Sequence, residues 1–229
     1  MNEQIKKLEA EVEALQTLTI LAYQRFIFLR PMLANQELLD RINREGKVRA
    51  FEQLRYWLYW GLVQQLSNIC SDRDERSPSI TTVTRKLKDD VHLRKQLEKN
   101  YVKKDRELEE EFNRVYSEYL QRAEEMLSSR SVGGYKTIRD KLVSHNELRQ
   151  SPQSPTGYDF YDIKHAKVKI GDERKLLETL QVLVTDLLLI VKTVDSSDWD
   201  SIFQHEEEVA RNYWELGAPL DQNKADANT

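Results

Sequence analysis

The stretch Phe51-Glu-Gln-Leu-Arg-Tyr-Trp-Leu-Tyr-Trp-Gly-Leu-Val-Gln-Gln-Leu66 decides the fold class. Phe51, Leu54, Tyr56, Trp57, Leu58, Tyr59, Trp60 and Leu62 leave no polar face wide enough for a strand alternation or a surface helix. An element apolar nearly all round is expected to be a central, buried helix. It belongs to a longer helix predicted from near Gln36 to about Cys70. The tyrosines and tryptophans of the stretch are chemically able to stack on bases, but their apolar surroundings read as core packing.

Outward from this stretch, every periodic segment is helical. Leu8, Val12, Leu15, Leu18, Thr19 and Ala22 follow 3-4 spacing within a first helix predicted from about Glu3 to Leu29, which Pro31 ends or kinks. Ser71 to Pro78 is polar and reads as a loop, and Ser79 caps a short helix over Ile80 to Leu87. A long charged helix follows from about Val91 to Ser128. Gly133-Gly134 separates it from a helix running from Tyr135 to about Leu148. Ser151 to Gly157 is the clearest loop. Tyr158 to Ile170 is ambiguous, with Asp159 and Asp162 available to cap a short helix. Asp172 to Val194 carries a leucine-rich core stripe. Ser197 or Asp198 caps a last helix, which Gly217 and Pro219 stop. These elements predict an all-α bundle of long antiparallel helices in one domain, 1–217, followed by a flexible tail, 218–229.

Composition narrows the function. Among 229 residues there are 7 Gly, 5 Pro and a charged fraction of 32%, a balance that favours helix. The net charge of −4 supplies no global attraction for nucleic acid. One cysteine, Cys70, excludes an intramolecular disulfide and suits a reducing cytoplasm. The N-terminal residues lack an apolar signal core, and the apolar run Val182 to Val191 is short and contains Asp186, so no membrane role is expected.

The chemistry concentrates in Ile138-Arg-Asp-Lys-Leu-Val-Ser-His-Asn146. Arg139 is a permanent cation that can hold a phosphate through two N–H groups. The His145 imidazole moves a proton near neutral pH. On an α-helix the two lie six residues apart, roughly 120° around the axis and about 9 Å along it. They do not share a face, so a compact site is easier to build across a two-fold axis between two copies. RNA carries its own nucleophile: attack of the 2′-hydroxyl on phosphorus needs a base, an acid for the leaving 5′-oxygen and a cation for the charged transition state. His145 and Arg139 supply those groups without metal or cofactor. The bland alternative is a core histidine and a surface arginine. A second Arg-to-His spacing, Arg85 to His92, shows how loose the pattern is by itself.

Other constellations are weaker. Asp72-Arg-Asp74 lacks the spacing and glycine of a calcium loop. His205 has no second histidine four residues on, as a zinc-peptidase helix needs. The run from Arg85 to Arg106 holds nine basic and four acidic residues. Its Arg94, Lys95, Lys103 and Lys104 are candidates for tracking an RNA backbone, against the alternative of a solvated helix face. A DNA-binding regulator is disfavoured by the acidic balance and by the lack of a compact helix-turn-helix signal.

Tyr135-Lys-Thr-Ile-Arg-Asp-Lys-Leu-Val-Ser-His-Asn146 resembles the signature of HEPN domains: an Arg, a polar residue and then a His on a late helix of an α-bundle. Here Arg139, Asp140 and His145 match it. The aromatic helix leading into Leu66-Ser-Asn-Ile-Cys-Ser-Asp-Arg-Asp74, with Ser77-Pro-Ser-Ile-Thr81 opening the next helix, looks like the abortive-infection subfamily. The resemblance covers roughly Leu18 to Trp214 in order of elements. It implies a metal-independent endoribonuclease, with Arg139 and His145 as catalytic residues and Asp140 and Asn146 in support. It further implies a homodimer acting on RNA as a toxin or phage-defence effector, with a possible cognate antitoxin. It also admits a non-catalytic dimeric module that binds a nucleotide, a nucleic acid or a protein.

Overall fold

The computed structural model describes residues 3–102, 108–144, 148–150, 158–160, 171–194 and 198–215, and these form an all-α bundle with one small β-ribbon. The longest helix, α1 (Glu3–Ala34), buries Ile5, Leu8, Val12, Leu15, Thr19, Ala22, Phe26 and Leu29, the 3-4 stripe expected from the sequence. That stripe faces α8 (Asp172–Lys192), whose Leu176, Leu177, Leu180, Leu183, Val184, Leu187 and Val191 are buried in turn. Helix α1 also packs on α3 (Val48–Ser71), and α8 packs on α6 (Leu108–Ser128). Helices α4 (Ile80–Asp89) and α5 (Val91–Tyr101) close the core around α6. Among the described helices none is long and apolar enough to cross a membrane.

Hydrogen bonds of specific geometry lock this packing. Ser79 Oγ accepts the Thr82 N–H at 3.1 Å, the Thr82 hydroxyl accepts the Ser79 N–H, and together they start α4 where the sequence predicts. Thr84 and Tyr119 share a buried hydroxyl–hydroxyl bond of 2.8 Å between α4 and α6. The Tyr116 hydroxyl donates to the Leu87 carbonyl. Arg122 reaches Asp186 at 2.8 Å, tying α6 to α8. Burial holds the Asp186 carboxyl above its ordinary range, with Arg122 pulling the other way. The last helix, α9 (Trp199–Tyr213), is capped by Asp198 and stacks Phe203 on Tyr23 of α1 at 3.5 Å between ring centroids. Beyond it, Trp214 joins Met32, Leu38 and Phe51 in a second, smaller core.

Several expectations need correction. Helix α1 runs through Pro31 to Ala34, because the buried Leu29 and Met32 on either side hold the last turn in place despite the missing N–H. The helix expected from Gln36 to Cys70 is two: α2 (Gln36–Arg44), capped by Asn35, ends at a turn where Gly46 takes φ +67°, and α3 begins at Val48. The charged helix expected over 91–128 is described as α5 and α6, with Val102 capping α5. Gly133 and Gly134 do not separate helices. They lie inside α7 (Arg130–Ile138), and the break falls at Ser129, whose extended backbone and side-chain oxygen cap α7. The helix expected to reach Leu148 gives way to a π-helical segment, Arg139–Ser144. Leu148–Gln150 instead forms strand β1, paired antiparallel with β2 (Tyr158–Phe160). That pairing also replaces the short helix considered at Asp159. The predicted loop over 151–157, Asp162 and the tail 218–229 lie outside the described residues.

The central aromatic helix is only half buried. Its C-terminal half buries Leu62, Val63, Leu66, Ile69 and Cys70. In the N-terminal half, Tyr56 is 60% and Trp57 73% exposed. Phe51 of the same half is buried against Met32, Leu38 and Trp214, so the exposure falls on one face of the helix and not on its whole end.

Two measurements follow. Tyr119→Phe leaves the buried Thr84 hydroxyl unpaired and is expected to lower unfolding stability by about 1–3 kcal/mol in urea titration. The Cys70 thiol, sealed in the core, is pushed up to about 12 by burial. It is expected to resist a thiol reagent such as 5,5′-dithiobis-(2-nitrobenzoate) in the native protein at pH 8 and to react at once on unfolding.

Candidate functional site

The site forms where α3 ends beside the start of the π-helical segment. Arg139 closes α7: its N–H bonds to the carbonyls of Tyr135 and Lys136, and the wider turns of the segment begin there. Such insertions recur at functional sites because they redirect side chains without breaking the helix. The Arg139 side chain is 19% exposed and held on two sides. Its Nε donates to Asp140 Oδ1 at 2.7 Å, and Nη2 lies 2.6 Å from the same oxygen. Its Nη1 donates to Asn68 Oδ1, on α3, at 3.2 Å. A guanidinium has five N–H donors. Three are spent on these contacts, so among the described residues two remain for an anion.

Asn68 joins the two short stretches that stand out in the sequence: it lies in Leu66 to Asp74, and it fixes the arginine of Ile138 to Asn146. It was not among the candidate residues. Its only signal was its place in the first of those stretches. Just beyond it, the Asp72-Arg73-Asp74 loop spends its carboxylates on its own turn. Asp72 Oδ1 accepts the Asp74 N–H and Asp74 Oδ1 accepts the Arg76 N–H, each at 3.0 Å. Hydrogen bonds from Arg76 hold the Asp74 carboxyl down at about 2. The loop is thus a helix-linking turn, anchored to α4 by Ser79 Oγ donating to the Asp72 carbonyl at 2.6 Å.

Behind the segment, the buried Tyr135 hydroxyl and the buried Glu173 Oε1 meet without a hydrogen bond of ordinary geometry, while Glu173 Oε2 accepts the Gly171 N–H at 2.7 Å. Burial, then the Glu173 charge, pushes the Tyr135 phenol above its ordinary value. In front of Asn68 a groove of about 660 Å³ opens between α1 and α3.

Arg139 and Asp140 are therefore brought together as the sequence suggests. His145 and Asn146 lie outside the described residues. The 120° separation expected of Arg139 and His145 assumed α-helical turns and does not carry over to a π-helical Arg139–Ser144. Four of the nine basic residues of the run have a structural partner among the described residues. Arg85, Lys86 and Lys88 pair with Glu75, Glu11 and Glu124. Arg94 donates to Asn113 and lies 5.0 Å over the Tyr116 ring. Lys95 is exposed, and Lys103 and Lys104 lie outside the described residues.

The model of the AbiU2 family of HEPN domains matches residues 5–213, which takes in α1 through α9. The chain belongs to this HEPN family. No curated protein and no solved structure gives a significant match. Arg139 and Asp140, the residues that resemble the Arg and polar positions of the HEPN signature, form an ion pair tethered to α3 through Asn68.

Replacing the exposed Asn68 with Ala removes one of three tethers on Arg139 and no core contact. Unfolding stability is expected to fall by no more than about 1 kcal/mol in thermal denaturation. A larger loss would mean that Asn68 supports the fold and not the arginine.

Proposed function

We propose that this HEPN protein cuts RNA without a metal and acts as a toxin or phage-defence effector, as a homodimer in the cytoplasm and under the control of a cognate antitoxin. The observation that supports this most is the Arg139 guanidinium. It is held at a π-helical turn by Asn68 and Asp140, which among the described residues leaves two N–H donors for a phosphate. In the reaction, His145 takes the proton from the 2′-hydroxyl. The 2′-oxygen bonds to phosphorus, and the bond to the 5′-oxygen breaks. A second histidine, the copy on the other protomer, returns a proton to that oxygen. Arg139 stabilises the charge on the non-bridging oxygens. Asp140 and Asn146 orient these groups.

One observation favours a second reading. The Asp140 carboxylate already offsets much of the Arg139 charge, which suits a non-catalytic dimeric module that binds a nucleotide, nucleic acid or protein.

The purified protein in EDTA is expected to degrade single-stranded RNA and to leave DNA of the same sequence intact, because DNA lacks the nucleophile. Arg139→Ala and His145→Ala are each expected to lower the rate by about a hundredfold or more while the fold is retained by circular dichroism. If wild type and both variants are equally inert on total cellular RNA, the binding module is the correct reading.

A further inference from the structure

The groove between α1 and α3 has a built cation in its wall. Arg25, on α1, lies flat against α3 and donates from Nη1 to the Gly61 carbonyl at 2.8 Å and to Gln65 Oε1 at 2.7 Å. Gln65 is held in turn, its Nε2 donating to the Leu18 carbonyl at 3.0 Å. A Cβ at position 61 would stand 3.2 Å from Arg25 Cζ and Nη1. The glycine, which costs about 1 kcal/mol in a helix interior relative to alanine, is what lets the guanidinium seat there. Both acceptors are neutral, and among the described residues no carboxylate pairs with Arg25. Among the described residues its Nε–H and both Nη2–H groups have no hydrogen-bond partner, and they form the edge that binds an anion through two parallel bonds.

The groove continues in both directions along one stripe of α3. Trp57, Gly61, Gln64 and Asn68 recur at 4-3-4 spacing and so share a face over about 16 Å. Gly61, Gln64 and Asn68 line the groove, and Asn68 holds Arg139. At the other end Trp57 is 73% exposed, with its contact to Tyr56 edge-on. A base-sized π-face, a fixed cation, amide side chains and a second cation therefore lie in a row. Asp72 is the one carboxylate in the lining, and its Oδ1 is occupied by the Asp74 N–H.

We propose that this groove binds single-stranded RNA and delivers it to Arg139. Arg25 holds a backbone phosphate a few nucleotides from the scissile one, and Trp57 stacks on a base farther out. The identity of the ligand rests on the ribonuclease reading. The spacing of two cations and an aromatic ring along one face suits a flexible strand, whose phosphates and bases can turn to meet them separately.

The test measures binding apart from cleavage. A fluorescein-labelled 2′-O-methyl oligonucleotide, with no free 2′-hydroxyl to attack, is titrated with the full chain by fluorescence anisotropy. Arg25→Gln and Trp57→Ala are each expected to weaken binding about fivefold or more. Arg25→Gln is also expected to reduce the salt slope by about one contact's worth. Because Trp57 is exposed, its variant decides the matter even if Arg25→Gln loosens the α1–α3 packing. Unchanged affinity in Trp57→Ala, or no binding by wild type, overturns the proposal. So does a Trp57→Ala protein that changes only from dimer to monomer, since the face is then a protein interface. Cleavage of ordinary RNA by Arg139→Ala is scored separately. A groove that binds the uncleavable strand in a protein that cuts nothing leaves the RNA-binding groove standing and removes the ribonuclease reading together with the delivery step.

Discussion

The seam between α1 and α8 is the contact on which everything else in the molecule is placed. Two long apolar stripes, one from each end of the sequence, bury against each other from Ile5 to Leu29 and from Leu176 to Val191. Fully burying side chains of this size contributes roughly 1.5–3 kcal/mol each before entropy is counted. That seam fixes the line of α1, α1 fixes α3, and α3 carries Asn68 to the arginine at the end of α7. The position of Arg139 is thus three packing steps away from the core that supports it.

Placement of the arginine is a matter of small numbers of polar contacts against that rigid background. Asp140 lies beside it in the chain, and their pairing needs only the local turn. Asn68 pairs with it only when α3 and α7 are packed, so the tertiary structure sets the direction of the guanidinium. Arg25 follows the same logic on the other side of α3, with a glycine in place of a second tether. Among the described residues both cations have few partners: Asp140 and Asn68 for Arg139, and two neutral acceptors for Arg25. The surface basic residues of α4, by contrast, are matched with carboxylates and are of little use to a ligand.

The stripes of α1 and α8 were legible in the sequence because burial there follows helical periodicity directly. The cap at Ser79 was legible, and Asp198 was one of two candidates for the last, because a short polar side chain before an apolar run has few other uses. The aromatic stretch misleads. Apolar character on all sides predicts burial only if neighbours surround the helix, and on the first half of α3 Tyr56 and Trp57 stay exposed. Gly133-Gly134 misleads in the opposite sense, since glycine permits a break without enforcing one. The change from α to π turns at Arg139 has no periodic signature, because it is one residue of excess within a helix. Of the site, the sequence singled out Arg139 and Asp140. Asn68, Gly61 and Arg25 acquire meaning only when α1, α3 and α7 are side by side.

The ties that complete the bundle reach across most of the chain. Gln24 bonds to Glu206 over a separation of 182 residues, and Glu13 pairs with Lys192 over 179. At a synthesis rate of about 5–20 residues per second, roughly ten to forty seconds pass between the appearance of α1 and that of its last partners. During that interval the apolar face of α1 has only local neighbours. A chain interrupted before α8 cannot close its core. Ribosome-bound and truncated forms therefore expose a long hydrophobic helix that chaperones and proteases recognise, and the bundle closes only once α8 and α9 have been made.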